Sequence, residues 1–507
     1  MKISMIFSIR NCMVLYACML AAACSKLDEL DDTQAEKAGI AVLEQGPGVT
    51  PFIANVALRL DDFDDLERVS FTIAPKSGTF SRPVGVTYTR AWLERSGAWR
   101  APDRQLRFPV FGLYANHQNA VTLTAVFRDG STHVERLTLA AAAYTGPAAV
   151  YNAPQVRIPR SAGSPGFDYI MIQGALNSPI VVDTDGHLRW AGAGPGSSFS
   201  SLFHAGSFLV GSAATPELFR VELDGTYRPT PLASTRYTNF HHDLTRGKTG
   251  MLAELDALEG GVPRIESILA EIAPTGEVLK EWDMAAIFRE TMRAGGDDPS
   301  NFVRDGVDWF HMNSAIYVPA DDSLLISSRE NFVVKIDYAT GRIKWLLGDT
   351  TKHWYVNYPS LRALALRLTS GKAPIGQHSL SIAANGELLL FNNGTASDQQ
   401  PAGTPRGLTR DISTPSRYAI DEGARTASES WTYAPDPAIF SPYCASVYEG
   451  APGSHLVTYS LAAGRTRTRL LGVDGAGKVA FDFDYPATGC EVAFMSKPID
   501  FAALTLR

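Results

Sequence analysis

The chain lacks any excess of positive charge. Across 507 residues, 46 Lys and Arg are outnumbered by 53 Asp and Glu, which gives a formal net charge of −7. No cluster of Lys and Arg interleaved with aromatic residues occurs in the sequence. Because nucleic-acid binding requires neutralisation of phosphate charge, this composition argues against a nucleic-acid partner. The hydrophobic content of 45% is nevertheless ample for a large buried core.

Near the N-terminus the sequence lacks a hydrophobic run of the roughly 20 residues that a transmembrane helix needs. Instead, two basic residues precede a short apolar run that ends at Ala23, a pattern typical of a secretory signal over residues 1–23. The small residues before Cys24 resemble a bacterial lipobox, which predicts cleavage before Cys24 and acylation of that cysteine. A plain signal peptide is the alternative. We therefore predict a periplasmic protein that contacts a membrane only through a lipid anchor.

Cysteine is scarce, with five residues in the chain. Cys12 and Cys18 lie in the signal and Cys24 is the predicted lipid anchor, which leaves Cys444 and Cys490. In an oxidising periplasm these two residues can form a disulfide, whereas in a cytosolic protein they would be buried thiols. Export favours the disulfide between Cys444 and Cys490, but their separation in space cannot be derived from the sequence.

Helical periodicity is absent from the first hundred residues after the acidic segment 24–48, which is itself predicted to be a solvated tether. Short runs of alternating apolar and polar residues occupy this region, separated by Gly, Pro, Asn and Asp. The pattern predicts a small antiparallel β-sandwich over residues 49–148. The expected strands are residues 53–60, 69–73, 84–89, 121–127 and 134–139.

From about Tyr151 onward a unit recurs, made of a strand, a tight turn with glycine and a second strand that often carries an aromatic residue. Repeated four-strand units of irregular length are typical of a β-propeller, and six copies make a β-sandwich with long insertions a poor alternative. The sequence therefore predicts an all-β chain with a six-bladed β-propeller over residues 149–507. The six turns carry Gly186, Gly225, Gly276, Gly341, Gly423 and Gly477.

An earlier hairpin in the repeats places histidines at the same position relative to the start of the repeat. His242 and His378 are each followed by glycine eight residues later, and the repeats that follow each of them bring His311 and Cys444 to the equivalent position. The four residues are spaced 69, 67 and 66 apart. Because equivalent positions on successive blades surround one central channel, we expect the three histidines to converge at its mouth. Neighbouring His241 is retained as the alternative to His242.

Asn313 and Arg329 are expected to complete an anion site with these histidines. His311 and Asn313 are two residues apart on an extended segment, and Arg329 follows one hairpin later. Arg offers a planar fork to a tetrahedral anion, and Asn and protonated His add further donors. A remaining His can attack as a nucleophile or carry a proton. These groups suit transfer of a sulfuryl or phosphoryl group, and a singly charged sulfate ester needs a metal less than a phosphate does.

A metal site is the main chemical alternative, since three imidazoles can hold zinc with a water in the open position. Against it, Arg329 and Asn313 would crowd a dication, and no carboxylate occupies the shared repeat position. Asp243 and Asp308 are expected to orient imidazoles instead. We therefore predict a site without a metal or another cofactor.

At these residues the sequence resembles the bacterial arylsulfate sulfotransferases, periplasmic enzymes that transfer sulfate between phenols without the nucleotide donor. The similarity covers most of the chain after the signal, and its motifs are specific in combination. They lie at residues 108–116, 308–314, 327–329, 345–349, 376–380, 392–394 and 440–442.

The resemblance implies a homodimer and a ping-pong cycle in which His378 accepts sulfate from an aryl sulfate and passes it to a phenol. It also implies that His311, Asn313 and Arg329 bind the sulfate. His242, with His241 as the alternative, corresponds to the remaining sulfate ligand and proton carrier. The loop of Tyr443 and Cys444 lies where the family makes a further sulfate contact. The close cysteine pair that some members carry before the catalytic histidine is absent from this sequence.

Two other functions remain open at this stage. An aryl sulfatase would use the same residues with water as the final acceptor. A non-enzymatic lipoprotein would use the propeller to bind a glycan or a protein, and a disrupted set of site residues would indicate it. All of the residues named for the site are present in the chain.

Overall fold

The computed structural model describes residues 39–163, 165–176, 179–194 and 199–507. The predicted signal, the predicted acylation site Cys24 and residues 24–38 of the predicted tether lie outside this part of the chain. Within it, no helix has both the length and the apolar character needed to cross a membrane.

The N-terminal domain is the predicted β-sandwich. Buried and exposed residues alternate along its strands, as expected where one face of each sheet packs on the core. A helix at Arg90–Arg95 begins where Thr89 Oγ1 accepts the backbone N–H of Trp92, a capping signal that strand periodicity does not reveal. Short 3₁₀ turns occupy Phe63–Asp65 and Ala101–Asp103. The strands are β1 (Ile40–Pro47), β2 (Ile53–Leu60), β3 (Leu66–Ile73), β4 (Val84–Thr89), β5 (Trp99–Arg100), β6 (Gln105–Phe111), β7 (His117–Phe127) and β8 (Thr132–Ala141).

After a 3₁₀ segment at Pro147–Asn152 the chain forms the predicted β-propeller. Its strands are β9 (Gln155–Ile158), β10 (Tyr169–Gln173), β11 (Ile180–Asp183), β12 (Leu188–Ala191), β13 (Ser201–His204), β14 (Ser207–Gly211), β15 (Glu217–Glu222), β16 (Tyr227–Pro231), β17 (Tyr237–Arg246), β18 (Met251–Glu259), β19 (Val262–Ile272), β20 (Val278–Asp283), β21 (Met312–Val318), β22 (Ser323–Ser328), β23 (Phe332–Asp337), β24 (Ile343–Gly348), β25 (Arg367–Ser370), β26 (His378–Ile382), β27 (Leu388–Asn392), β28 (Thr414–Asp421), β29 (Thr426–Thr432), β30 (Ser446–Ala451), β31 (Ser454–Leu461), β32 (Arg467–Val473), β33 (Val479–Pro486), β34 (Met495–Ile499) and β35 (Ala503–Leu506).

The described propeller strands form six sheets. The first sheet pairs β10, β11 and β12 with β34, so the two ends of the propeller segment close the ring together. The next sheets are β13–β16, β17–β20, β21–β24, β25–β29 and β30–β33, the last with β9 at its outer edge. Inner strands of successive sheets contact one another around the ring. The starts of β17, β21, β26 and β30 therefore converge near one central channel.

Helices occupy few of the described residues and lie in the connections between strands. The longest, Met284–Ala294, begins where the Asp283 side chain accepts the backbone N–H groups of Ala285 and Ala286. It buries one face against the fourth sheet, an insertion that the repeat pattern did not predict. Shorter helical turns lie at His353–Val356, Pro359–Arg362 and Ala462–Arg465.

The boundaries of the sandwich differ from those predicted. β1 lies inside the segment predicted as a tether, and β35, at the far end of the chain, joins the sandwich in parallel with β4. β1 is an edge strand with one buried residue, so its sequence lacks the alternation that marks a half-buried strand, and the parallel pair of β35 and β4 joins residues that are distant in sequence. The hydrophobic core is consequently continuous from the sandwich into the first sheets of the propeller.

Candidate active site

A cavity of about 270 Å³ opens near the starts of the inner strands of the third to sixth sheets. The four residues aligned by the repeat phase, His242, His311, His378 and Cys444, all line it. The remaining lining residues are Asp308, Arg329, Asp398, Gln399, Tyr443 and Phe494.

Irregular backbone at these strand starts sets the site apart from a regular sheet. His242 and His311 have positive φ angles of 33° and 50°, and Ser379 and Cys444 have 51° and 59°. Pairing registers shift at the same places in β17, β21 and β26. Such bulges redirect side chains, and strained backbone is common where a side chain is held for function. The positions that the sequence repeat aligns are therefore also positions where the backbone is locally strained.

His378 is held as a neutral imidazole. Its Nδ1–H donates to Asn393 Oδ1 at 2.8 Å, and its Nε2 accepts the backbone N–H of Cys444 at 3.2 Å. Burial, and then the positive charge of Arg329, keeps the pKa of His378 well below its usual range. Nε2 is thus unprotonated at ordinary pH, as a nucleophile must be, and its lone pair is engaged only by the backbone N–H of Cys444.

Asn393 fixes this tautomer, and the sequence did not assign it a role. Its Nδ2 donates to Ser441 O and to Cys444 O, both at 2.8 Å, so its Oδ1 must face the histidine. Asn393 is fully buried. The Asn-Asn-Gly motif at 392–394 drew attention to this segment, but the motif does not show in which direction the Asn393 side chain points.

His311 is held as a cation by two carboxylates. Its Nδ1 lies 2.5 Å from Asp308 Oδ2 and 2.8 Å from Glu266 Oε2. Burial alone would lower the pKa of this imidazole, but the charge of Glu266 and the hydrogen bond to Asp308 outweigh it and raise the pKa to about 10. Because Nδ1 is occupied, Nε2–H is the donor left for a bound anion or leaving group.

Glu266 is a site residue that sequence reasoning missed. It lies in β19, two strands away from the inner strand of its own sheet, and outside the histidine phase. It reaches the histidines from a residue with a positive φ of 45°. The charges of the neighbouring histidines keep its pKa low against the opposing effect of burial.

His242 and His241 occupy different positions. His242 lines the cavity, and its ring centre lies 4.8 Å from that of His311. Burial, aided by the charge of His311, lowers the pKa of His242 to about 3, so it is neutral at ordinary pH. His241 lies behind it, with its Nδ1 at 3.0 Å from His242 Nδ1. Asp243, expected to orient an imidazole, instead has its Oδ1 at 2.7 Å from Lys497 Nζ.

Arg329 brings the second positive charge to the cavity. Its backbone N–H donates to His311 O at 3.0 Å, which places the two residues side by side. The guanidinium pairs with Glu330 and, at 2.5 Å, with Asp398 Oδ2. Its Nε is buried and has no hydrogen-bond partner among the described residues. Because Arg329 lines the cavity, its guanidinium brings positive charge and N–H donors to an anion bound there.

Tyr443, Cys444 and Phe494 also line the cavity. The Tyr443 ring lies 4.7 Å from the Arg329 guanidinium, and its hydroxyl donates to Asp398 Oδ2 at 3.1 Å. Cys444 is joined to Cys490 in a disulfide. Phe494, which was not predicted, places its ring 5.2 Å from that of His242 and 6.0 Å from that of His378. Together the rings give an anion site an apolar and aromatic side.

Asn313 lies elsewhere than expected. It is fully buried, it does not line the cavity, and its Nδ2 donates to Gln377 O at 2.8 Å. The expectation assumed regular alternation from His311, but the pairing of β21 shifts between Met312 and Ser314. Asn313 therefore supports the segment before His378 and does not reach the anion site.

Two groups of side chains among the described residues have ligand atoms close enough to hold a metal ion. One comprises His242, Glu266 and His311, and the other His241, His242 and Glu254. The sequence argued against a metal because no carboxylate shares the repeat position of the histidines. Glu254 and Glu266 lie outside that position, on β18 and β19, and bring carboxylates to the histidines from there.

Comparison with known proteins relates most of the chain to one family. The family model for arylsulfotransferase (ASST) matches residues 133–489. The chain is 30% identical to the arylsulfate sulfotransferase AssT of Escherichia coli O6:H1 over 26% of this chain and 24% of that protein. It thus spans about a quarter of the length of this curated relative.

Solved structures with a similar arrangement include two proteins of low identity. The β-propeller domain of Cps50 (Swd1) from Myceliophteria thermophila has 12% identity and a TM-score of 0.37, over 68% of this chain and 88% of that one. AztD of Citrobacter koseri has 9% identity and a TM-score of 0.25, over 76% and 85%. Because both scores are low, the architecture described above rests on the sheet pairings of this chain.

Proposed function

The chain belongs to the arylsulfotransferase family, and from this premise we propose that it transfers a sulfuryl group from an aryl sulfate to a phenol through a sulfohistidine at His378. The observation that carries the proposal is one cavity with a neutral His378 Nε2 beside the cations His311 and Arg329. A neutral nucleophile next to fixed positive charge suits attack on an anionic ester.

In the first half of the cycle, the lone pair of His378 Nε2 forms a bond to sulfur while the bond from sulfur to the aryl oxygen breaks. The aryl oxygen leaves with the electron pair and takes a proton from His311. Arg329 holds the sulfuryl oxygens, and the backbone N–H of Cys444, which Nε2 accepts at 3.2 Å before attack, turns to a sulfuryl oxygen and so frees the lone pair. Fixed donors that meet charge as it develops lower the barrier without reorganisation.

In the second half, the oxygen of an acceptor phenol attacks sulfur and the bond to Nε2 breaks, which returns its electron pair to His378. The acceptor proton passes to His311, so both residues are restored. The pKa of His311, about 10, is close to that of a phenol, the match that general acid and base catalysis needs. His242, neutral and next to His311, is a ligand in this scheme and a weaker proton donor.

Acceptor dependence separates this function from that of a sulfatase. With p-nitrophenyl sulfate as donor, release of nitrophenol is expected to rise with added phenol, and phenyl sulfate is expected to appear in equal amount. A sulfatase would release nitrophenol and inorganic sulfate at a rate that phenol does not change. Absence of release with several aryl sulfates and acceptors would favour the non-enzymatic binding protein.

The pH dependence of the first half reaction tests the role of His311. Because His311 acts protonated with a pKa of about 10, the rate should be flat near neutral pH and fall as the pH rises through about 10. Glu266→Gln removes the charge that raises this pKa, so the fall should move to lower pH. The measurement is the burst of phenol from phenyl sulfate without acceptor, which avoids titration of the acceptor.

The matched control is Glu259→Gln, which changes an exposed glutamate of the same hairpin paired with Arg236 at 3.1 Å. Its profile should coincide with that of the unchanged protein. An alkaline limb that stays in place in Glu266→Gln would show that Glu266 does not set the proton affinity of His311.

The localisation is also part of this proposal. A disulfide between Cys444 and Cys490 suits an oxidising compartment and so supports export to the periplasm, while acylation at Cys24 stays a prediction from the sequence. Labelling with palmitate should be lost in Cys24→Ala, and equal labelling of both forms would exclude this anchor. Homodimerisation, implied by the resemblance, stays a prediction for light scattering to test.

A further inference from the structure

Behind the cavity, the bulge of β17 brings two imidazoles and a carboxylate of β18 together. His241 Nδ1 lies 3.0 Å from His242 Nδ1 and 3.9 Å from Glu254 Oε2. One ligand atom from each residue lies within 4.8 Å of the others. His241 is 9% exposed and Glu254 1% exposed. Three metal-ligating groups thus face one buried point on the side of His242 that His241 occupies.

Polar atoms around this point are left without partners. Glu254 Oε1, His241 Nε2 and Asp243 Oδ2 are buried and make no hydrogen bond within the described part of the chain. Leaving a buried carboxylate oxygen unpaired is costly. The described side chains therefore leave buried polar atoms at this point without hydrogen-bond partners.

The charge balance points to a cation. Lys497 Nζ pairs with Asp243 at 2.7 Å and Glu266 pairs with the cationic His311, so Glu254 is the carboxylate in this region that has no ion pair with Lys or Arg among the described residues. His242 Nδ1 lies 3.6 Å from Glu266 Oε2, which puts a second carboxylate on its open side. Buried carboxylates in excess are stabilised by bound metal ions as well as by protons.

We propose that His241, His242 and Glu254 bind a divalent metal ion of the zinc class behind the cavity. Two imidazole nitrogens and a carboxylate are common zinc ligands, with bonds of about 2.0–2.2 Å, and a fourth position would remain for Glu266 or a water. The neighbouring group of His242, Glu266 and His311 is a poorer site, because Nδ1 of the cationic His311 carries the proton that Asp308 Oδ2 accepts at 2.5 Å and so has no lone pair for a metal. The ion would hold the His242 ring in place, and its binding does not depend on the sulfotransferase function.

Binding of Co²⁺ tests the proposal, because tetrahedral Co²⁺ absorbs visible light. The full-length protein, with free thiols alkylated and metals removed by a chelator, is titrated with Co²⁺ and then with Zn²⁺. One equivalent of Co²⁺ should bind, give a visible spectrum and be displaced by Zn²⁺. Glu254→Gln, which keeps the shape of the side chain, and His241→Ala should each weaken binding at least about tenfold.

His133→Ala is the matched control, since His133 lies in the sandwich on β8, and it should bind Co²⁺ as the unchanged protein does. Circular dichroism of each variant checks that the fold is kept. Binding well below one equivalent, or equal binding by Glu254→Gln and His241→Ala, would overturn the proposal. Loss of binding in His311→Ala but not in His241→Ala would also overturn it, because it would assign the ion to the other group.

Discussion

His378→Ala is expected to reduce release of nitrophenol from p-nitrophenyl sulfate by a factor on the order of 10⁴ to 10⁶, the usual loss when a covalent nucleophile is removed. In the proposed cycle both half reactions pass through Nε2 of this residue. The cavity and its two cations would remain, so binding of the donor should change far less than kcat. Initial rates at saturating donor and acceptor measure the effect.

Two controls keep this expectation specific. His133→Ala removes a histidine from the sandwich and should leave the rate unchanged. Added imidazole should restore part of the rate of His378→Ala, because the cavity that the ring vacates is next to the bound ester. A His378→Ala protein that keeps more than about a tenth of the activity would mean that another group attacks sulfur.

Arg329→Ala is expected to lower kcat by about 10² to 10³, the range found when one donor to a developing anion is removed. The guanidinium lies beside His311, and its buried Nε has no partner within the described residues. Arg329→Lys should recover only part of the rate, since an ammonium cannot present the planar fork. The measurement is kcat and KM for the donor at fixed acceptor concentration.

Stability has to be separated from catalysis in this experiment. Glu330 loses one partner in Arg329→Ala, but its Oε2 still accepts the backbone N–H groups of Asp398 and Gln399, both at 2.8 Å. Arg406→Ala is the matched control, because Arg406 also pairs with Asp398, at 2.9 Å, and is exposed. Equal rate losses in the two variants would assign the effect to Asp398 and not to contact between Arg329 and sulfate.

The sequence predicted the propeller and the convergence of its histidines because both follow from a repeat. His242, His311, His378 and Cys444 share one phase, and a closed ring of sheets brings equal phases together. The propeller fold and the convergence of the histidines can both be predicted without knowing where individual side chains point. The sandwich strands were found for a similar reason, since alternation along a strand shows which face is buried.

What the sequence could not give depends on irregular backbone and on contacts between distant segments. The placement of Asn313 follows from a bulge that breaks the alternation on which its predicted role relied. Glu266 and Phe494 reach the histidines from strands outside the phase or from a loop, so no local pattern marks them. β35 pairs with β4 across nearly the whole chain, and its four residues carry no signal of that partner.

Trapping the covalent intermediate tests the central claim most directly. The protein is mixed with p-nitrophenyl sulfate without acceptor, stopped under alkaline conditions that preserve phosphoramidate-like bonds, and examined by intact mass and peptide mapping. One sulfuryl group on His378 is the expected result, with nitrophenol released in equal amount and the label lost when phenol is added before the stop. Turnover without any labelled residue, or a label on a residue other than His378, would contradict the account.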